Sequence, residues 1–260
     1  DAEVVLQVAF ENSITEPVGE GWTKAQEIIK EKSGGKMAIE VYPDSQLGDK
    51  SSLIDSMLLG ENVCTLADGA FYADYGVPDF GIVFGPFLFD NWDQCWTLIE
   101  SDWYKEQCDK LEEKGLKIIA SNWIYGERHT LTNVPVNTVE DLKGLKIRVQ
   151  DMKSQTDMMN YLGGIPVAMS YGDVYTSLQT GIIDGTENNE TASVDQHAMI
   201  PDVLIMSEKV WKQISPEDQE IILEAAHNST EAHKVMWDTA IEEAVKEAQE
   251  TMGVEFVYDV

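Results

Sequence analysis

Of the eighteen fixed cations in these 260 residues only two are arginines, Arg128 and Arg148; the other sixteen are lysines, and the chain carries a net charge of -29. Lysine offers a point charge, whereas the guanidinium plane presents parallel N–H donors that match both oxygens of a carboxylate. A genome poor in arginine codons would thin arginine everywhere, but it would not select these two positions. The chemistry they suggest is capture of an organic acid. A carboxylate entering a crevice loses its water, and a paired cation of matching geometry offsets that loss.

Other chemistries find little support in the chain. No HExxH, GxSxG, GxxxxGK[ST] or GxGxxG pattern occurs, so the strong enzyme signatures are missing and neither catalysis nor a cofactor is expected. His227 and Glu231 stand four apart, which reads as the solvated face of an acidic helix rather than as a metal site. His129, beside Arg128, and His197, near Pro201, have no adjacent nucleophile and read as structural or ligand-contacting. Asn189-Glu190-Thr191 and Asn228-Ser229-Thr230 fit the glycosylation pattern, which is frequent by chance. Cys64, Cys95 and Cys108 are too scattered for a disulfide framework and lack a CxxC pair for zinc. All three read as small buried apolar residues. Cys95 and Cys108 are expected on one helix, about 20 Å apart and out of bridging range.

Composition narrows the partners further. With 43% apolar residues the chain can bury a substantial core. Its longest apolar run, Phe80 to Phe89, is broken by Gly85 and Pro86 and falls well short of the roughly 20 residues a bilayer span needs. A balance this acidic speaks against anionic membrane as a partner and effectively excludes nucleic acid. The chain opens at Asp1 without a basic n-region or apolar h-region, so the expectation is that a secretory signal or lipid-anchoring cysteine has been removed.

Alternating strand and helix patterns must position these side chains. Val4 to Phe10 reads as a strand, Pro17 to Lys32 as a helix closed by Gly34-Gly35, and Met37 to Tyr42 as a second strand, together a βαβ unit. A helix over Lys50 to Leu59, a short strand over Val63 to Ala67, an aromatic loop and one long helix over Trp92 to Glu113 follow, with a strand at Leu116 to Ala120. After Asn122 the alternation restarts: a strand at Leu145 to Val149, then helices at Ser154 to Leu162 and Val174 to Gln179. Ser215-Pro216-Glu217-Asp218 starts a helix expected to run, with interruptions, to Thr251. The architecture expected is two α/β lobes with crossovers between them and ligand in the crevice at the strand ends. One lobe takes residues 1–122 with 206–250, the other 123–205 with 251–260.

Arg148 closes the segment Asp141-Leu-Lys-Gly-Leu-Lys-Ile-Arg-Val149. Downstream come Pro166-Val-Ala-Met169, Asp173-Val-Tyr-Thr-Ser-Leu-Gln-Thr-Gly181 and Asp184-Gly-Thr-Glu-Asn188. Ser45-Gln-Leu-Gly48, Gly85-Pro-Phe-Leu-Phe89 and Gly126-Glu-Arg128 precede them. In order and spacing these blocks closely resemble the extracytoplasmic solute-binding proteins of TRAP transporters, whose signature reads approximately DLKGLKIRV, PVPM, EVYTALQTG and DGQEN. Two departures stand out. The stretch between Asn188 and His197 is shorter than the family pattern, and the chain stops soon after Val257. Asp173 also replaces the usual glutamate.

The resemblance implies a two-lobed periplasmic-binding-protein-like (Venus flytrap) fold with a long connecting helix, closing on an organic acid and delivering it to TRAP permease subunits in sodium-coupled uptake. Position by position, Arg148 matches the arginine that grips the ligand carboxylate, Arg128 one that supports it, and Asn188 an amide lining the site. Asp68 and Glu11 match polar contacts of sugar-acid binders, and Tyr171 a ring packed on the ligand. Glu11, Asp68, Glu187 and Asn188 suit hydroxyl donors, since an ionised carboxylate only accepts hydrogen bonds. A sugar acid, whether uronate, aldonate or ketogulonate, is therefore the expected ligand. A C4-dicarboxylate comes next, and then an aromatic acid against Tyr171 and Trp123. A ligand-sensing subunit of a signalling system would share this cleft. The protein is expected to be a monomer outside the cytoplasm, with or without a lipid anchor, and to hold no metal.

Overall fold

In the computed structural model, residues 2–188, 198–247 and 250 are described. The chain opens with β1 (Val4–Ala9), α1 (Pro17–Lys32) and β2 (Met37–Tyr42). Helix α1 turns Val18, Trp22, Ala25 and Ile29 inward, a spacing of three and four that lays one apolar stripe on the sheet. Next come α2 (Lys50–Leu59) and β3 (Val63–Asp68). Asp49 caps α2 by accepting from the Ser52 N–H, and Gly60 ends it in the left-handed region at φ 99°, where a side chain would be strained.

The segment read as one helix from Trp92 to Glu113 is two: α3 (Trp92–Ile99) and α4 (Asp102–Glu113). Ser101 divides them, because its Oγ accepts the Tyr104 N–H at 3.1 Å and so caps a new helix. The straight-helix spacing of Cys95 and Cys108 therefore does not apply. All three cysteines are free thiols, with Cys64 and Cys95 buried and Cys108 half-buried. The strand expected to stop near Ala120 instead runs through the aromatic and β-branched residues that follow, giving β4 (Leu116–Thr132).

β5 (Lys146–Val149), α5 (Lys153–Leu162), β6 (Ile165–Ala168), α6 (Val174–Gln179) and β7 (Gly185–Asn188) follow. β8 (Ala198–Ser207), α7 (Glu208–Trp211) and α8 (Pro216–Glu247) complete the described elements. The expected end of the last helix at Thr251, the segment 251–260 assigned to the second lobe, and His197 lie outside the described residues. No described helix is long and apolar enough to cross a membrane.

The strands form one sheet in the order β2-β1-β3-β8-β4-β7-β5-β6. β4 is the element shared by its two halves: Leu116 to Arg128 pair with β8, and His129 to Thr132 pair with β7. Three register shifts between Ile118 and Gly126 bend the strand on the way. Alternation along β3 sends Cys64 and Leu66 to one core with Trp22 and Trp123, and Val63 and Ala67 to another. That second core extends from Leu53, Met57 and Phe80 to Ile147 and Met159, so apolar packing continues from one half of the sheet into the other.

Gly185 marks how closely β7 sits on β4, since a Cβ there would lie 2.4 Å from the Leu131 carbonyl oxygen. Backbone must shift to admit it, so Gly185→Ala is expected to destabilise the protein by roughly 1–3 kcal/mol. Urea unfolding followed by circular dichroism measures this, and an unchanged midpoint would contradict the close approach.

Candidate functional site

The cleft is built where strand ends of the two halves meet. From the first half, Glu11 follows β1, Lys50 opens α2 and Asp68 ends β3. From the second, Arg148 lies in β5, with Gln150 just past its end, and Tyr171 follows β6. Glu11, Lys50, Phe71, Arg148, Gln150 and Met169 line a pocket of about 70 Å³. A larger chamber of about 460 Å³ shares Glu11 with it and is walled by Asp44, Leu131, Tyr171, Tyr175 and Thr186 among others.

The two arginines are both buried but differently satisfied. Arg128 is 0% exposed and its guanidinium is gripped by Glu187, with Nε donating to Oε1 at 2.7 Å and Nη2 to Oε2 at 2.5 Å. Nη1 also reaches the Asn188 side-chain oxygen at 3.4 Å. Arg148 is 3% exposed, and its Nε donates to the Met169 carbonyl at 3.1 Å. Among the described residues no carboxylate forms an ion pair with it. Burial, and then the charge of Arg128, push its pKa down from the usual value, yet an arginine remains protonated at neutral pH. A buried cation short of counter-charge is a receptor for an anion.

Lys50 supplies a third cation. Its Nζ stands 3.7 Å from the Glu11 carboxylate and 5.0 Å from the centroid of the Tyr125 ring, a cation–π distance. Arg128 also faces Tyr125, at 6.0 Å. Asp68 is 2% exposed, and its Oδ1 has no hydrogen-bond partner. Burial raises its pKa; the Lys50 and Arg128 charges oppose the rise, while Glu187 adds to it. Three cations thus stand near Glu11, Glu187 and Asp68, and burial disfavours ionisation of the last.

The residues singled out in the sequence fall into three groups. Arg148, Glu11 and Tyr171 line the two pockets. Arg128, Asn188 and Asp68 are buried beside them, with Arg128 bound to Glu187 and Asn188. Trp123 is a correction: it is 0% exposed in the first-half core, tilted on Trp22 at 5.2 Å, and its indole N–H donates to the Ala226 carbonyl. That placement faces the ring into packing rather than toward a ligand. His129 lies opposite Asn188 in the β4–β7 ladder, and His227 meets the Asn122 amide at 3.0 Å. Among the described residues no group of three metal-ligating side chains converges.

Sequence reasoning missed Lys50, Tyr125, Gln150 and Thr186. Lys50 carried a signal, because a cation in the first turn opposes the helix dipole and needs another reason to be there. Gln150 carried one too, being two residues past Arg148 and so on the same side of the strand.

Residues 8–259 match the family model described as bacterial extracellular solute-binding protein, family 7. A TRAP periplasmic solute-binding protein of Actinobacillus succinogenes, solved with bound L-galactonate, is 31% identical and superposes with a TM-score of 0.93, covering 98% of this chain and 88% of that one. One from Ochrobacterium anthropi with bound L-fuconate is 30% identical, with a TM-score of 0.93 over 99% and 89% of the two chains. The C4-dicarboxylate-binding periplasmic protein DctP of Rhodobacter capsulatus is 31% identical across 81% of this chain and 66% of its own length.

The raised pKa of Asp68 has a sign that can be tested. The folded protein holds this proton to higher pH than the unfolded chain, so the group's contribution to stability is full below the ordinary carboxylate range and is lost as pH rises through the raised value. Asp68→Asn is therefore expected to raise Tm at pH 7.5 by more than it does at pH 5, read by scanning calorimetry. Equal shifts at the two pH values would mean that Asp68 titrates normally.

Proposed function

Because the chain belongs to the family 7 bacterial extracellular solute-binding proteins, the ligand-capturing subunits of TRAP transporters, we propose that it captures a sugar acid by an ion pair between the ligand carboxylate and Arg148. Members of this family are extracytoplasmic binding proteins that work with membrane permease subunits, and they are not enzymes. The observation that carries the reading is the contrast between the arginines. Arg128 is matched by Glu187, whereas Arg148 is buried at the wall of a headgroup-sized pocket with one carbonyl for company. A bidentate carboxylate is the group that completes it.

Hydroxylated acids are favoured over other anions by what surrounds that pocket. Glu11 and Asp44 are acceptors suited to hydroxyl donors, and the similar structures named above hold L-galactonate and L-fuconate. A C4-dicarboxylate is the second reading, favoured by Lys50 as a further cation in the cleft. Its second carboxylate would have to approach Glu11 and Asp68. In this proposal the two lobes close over the ligand as a monomer and present it to the permease for sodium-coupled uptake.

Isothermal titration with aldonates, uronates and succinate tests this. Each charge-assisted hydrogen bond contributes roughly 1.5–3 kcal/mol, so Arg148→Ala is expected to weaken binding by about one to two decades or more. Arg148→Lys should also bind less tightly, since one point charge cannot reproduce two parallel bonds. A lysine variant as tight as the parent would refute bidentate capture. With a net charge of -29 the protein repels an anion at long range, so the association rate should rise modestly with ionic strength in stopped-flow. A rate that falls with salt would mean that the cleft's own positive field governs the encounter.

A further inference from the structure

One carboxylate behind the cleft wall is poorly matched. Asp68 ends β3 and is 2% exposed, and its Oδ1 is buried without a hydrogen-bond partner. Such a group stays ionised only where cations and donors around it replace water, so its neighbours decide its charge. Lys50 at the start of α2 and Arg128 on β4 act on it with positive charge, and Glu187 on β7 with negative charge. On β8 the register position opposite it is taken by Asp202. Arg128 is already committed, since both Glu187 carboxylate oxygens close on its guanidinium. Lys50 is shared as well, its Nζ standing 3.7 Å from the Glu11 carboxylate and 5.0 Å from the centroid of the Tyr125 ring. Asp49 and Asp74, on adjoining segments, are turned to the Ser52 and Lys153 N–H groups.

The cation that supports Asp68 also borders the ligand pocket. Lys50 lines the 70 Å³ pocket together with Arg148, and so does Phe71, three residues past Asp68. Asp68 itself lies one layer behind that wall, out of reach of a ligand's atoms but within reach of its charge. Burial raises the pKa of Asp68, and Lys50 is the charge that most opposes the rise. A carboxylate seated against Arg148 engages Lys50 in turn and brings a like charge to a group whose ionisation burial already disfavours. Two carboxylates that depend on the same few cations are most stable with one proton between them.

Building on the acid-binding reading, we infer that Asp68 is a proton-binding site coupled to the cleft: as the ligand carboxylate seats at Arg148, Asp68 takes up a proton from solvent, and the acid is captured as anion plus proton. The anion adds one negative charge and protonation of Asp68 removes one, so the cleft keeps its net charge. Because the ligand strengthens proton binding, the proton strengthens ligand binding by the same factor. Affinity is therefore highest where Asp68 is already protonated in the free protein. It weakens as pH rises through that raised value, by up to about tenfold per pH unit, and levels off once Asp68 is ionised in the complex as well. The ligand's own carboxyl, with an ordinary value of about 3.5, stays ionised throughout.

Isothermal titration of L-galactonate and D-galacturonate from pH 5 to pH 9, in paired buffers of different ionisation enthalpy, is the test. The change in observed heat between buffers counts the protons exchanged per ligand bound. The inference expects the parent to take up a substantial fraction of a proton, at most one, within this range. Over the same interval its affinity should weaken severalfold to about tenfold per pH unit. Asp68→Asn, which keeps the side chain's shape and cannot ionise, is expected to lose both the uptake and the slope. No uptake by the parent at any pH overturns the inference, whether or not the variant folds. Uptake that survives in Asp68→Asn overturns it too, placing the proton on another group such as His129 or Asp202. If Arg148→Lys weakens binding while the parent takes up no proton, this inference falls and the carboxylate reading stands. A parent that binds neither acid overturns both.

Discussion

A guanidinium taken out of water has to find an anion, and this fold buries two of them within reach of each other's field. Everything else in the cleft follows from how that demand is divided. Glu187 gives both carboxylate oxygens to Arg128 at the point where β4 leaves β8 and joins β7. Removing one member of so enclosed a pair would strand the other charge, which costs far more than the intact pair contributes. The pair thus fixes β7 against β4, and with it the strand that carries Thr186 and Asn188. It also commits to Arg128 a carboxylate whose charge is felt by Arg148.

The same division explains how a strongly acidic protein can hold an anion. Its net charge of -29 is spread over the whole chain, but Lys50, Arg128 and Arg148 gather at the strand ends where the two halves of the sheet meet. The Tyr125 ring lies within cation–π distance of two of these cations, Lys50 and Arg128. Asp68, pressed toward its neutral form by burial, adds less negative charge than its type suggests. Cations are thus placed at the cleft of a chain whose net charge is strongly negative, which favours selectivity after entry over speed of encounter.

Much of this was legible in the residues. The βαβ opening, the helix over Lys50 to Leu59 with Gly60 beyond it, and the strand ending in Arg148 all appear in the structure within a residue or two, because periodicity, caps and glycines are local signals. The break at Ser101 was local as well, but a capping serine inside an amphipathic run is outweighed by the apolar pattern on either side. The continuation of β4 past Ala120 was not local: it depends on β8 and β7, contributed from far along the chain. The pairing of Arg128 with Glu187 was hidden for the same reason. Both residues had been noticed, but nothing in their spacing says that one satisfies the other. Trp123 was misplaced because an aromatic residue near a cleft and one in a core look alike in sequence. Thr186 was overlooked because a place in a cavity wall is a property of surroundings, which only the folded chain reveals.

The central claim is that the arginines divide their labour, with Arg128 serving the fold and Arg148 serving the ligand. A crystal structure of the protein with L-galactonate reads this directly. The account predicts both carboxylate oxygens of the acid on the Arg148 guanidinium, with Arg128 still held by Glu187. A carboxylate bound to Arg128 with Glu187 turned away, or an acid seated in the cleft without touching Arg148, would contradict it.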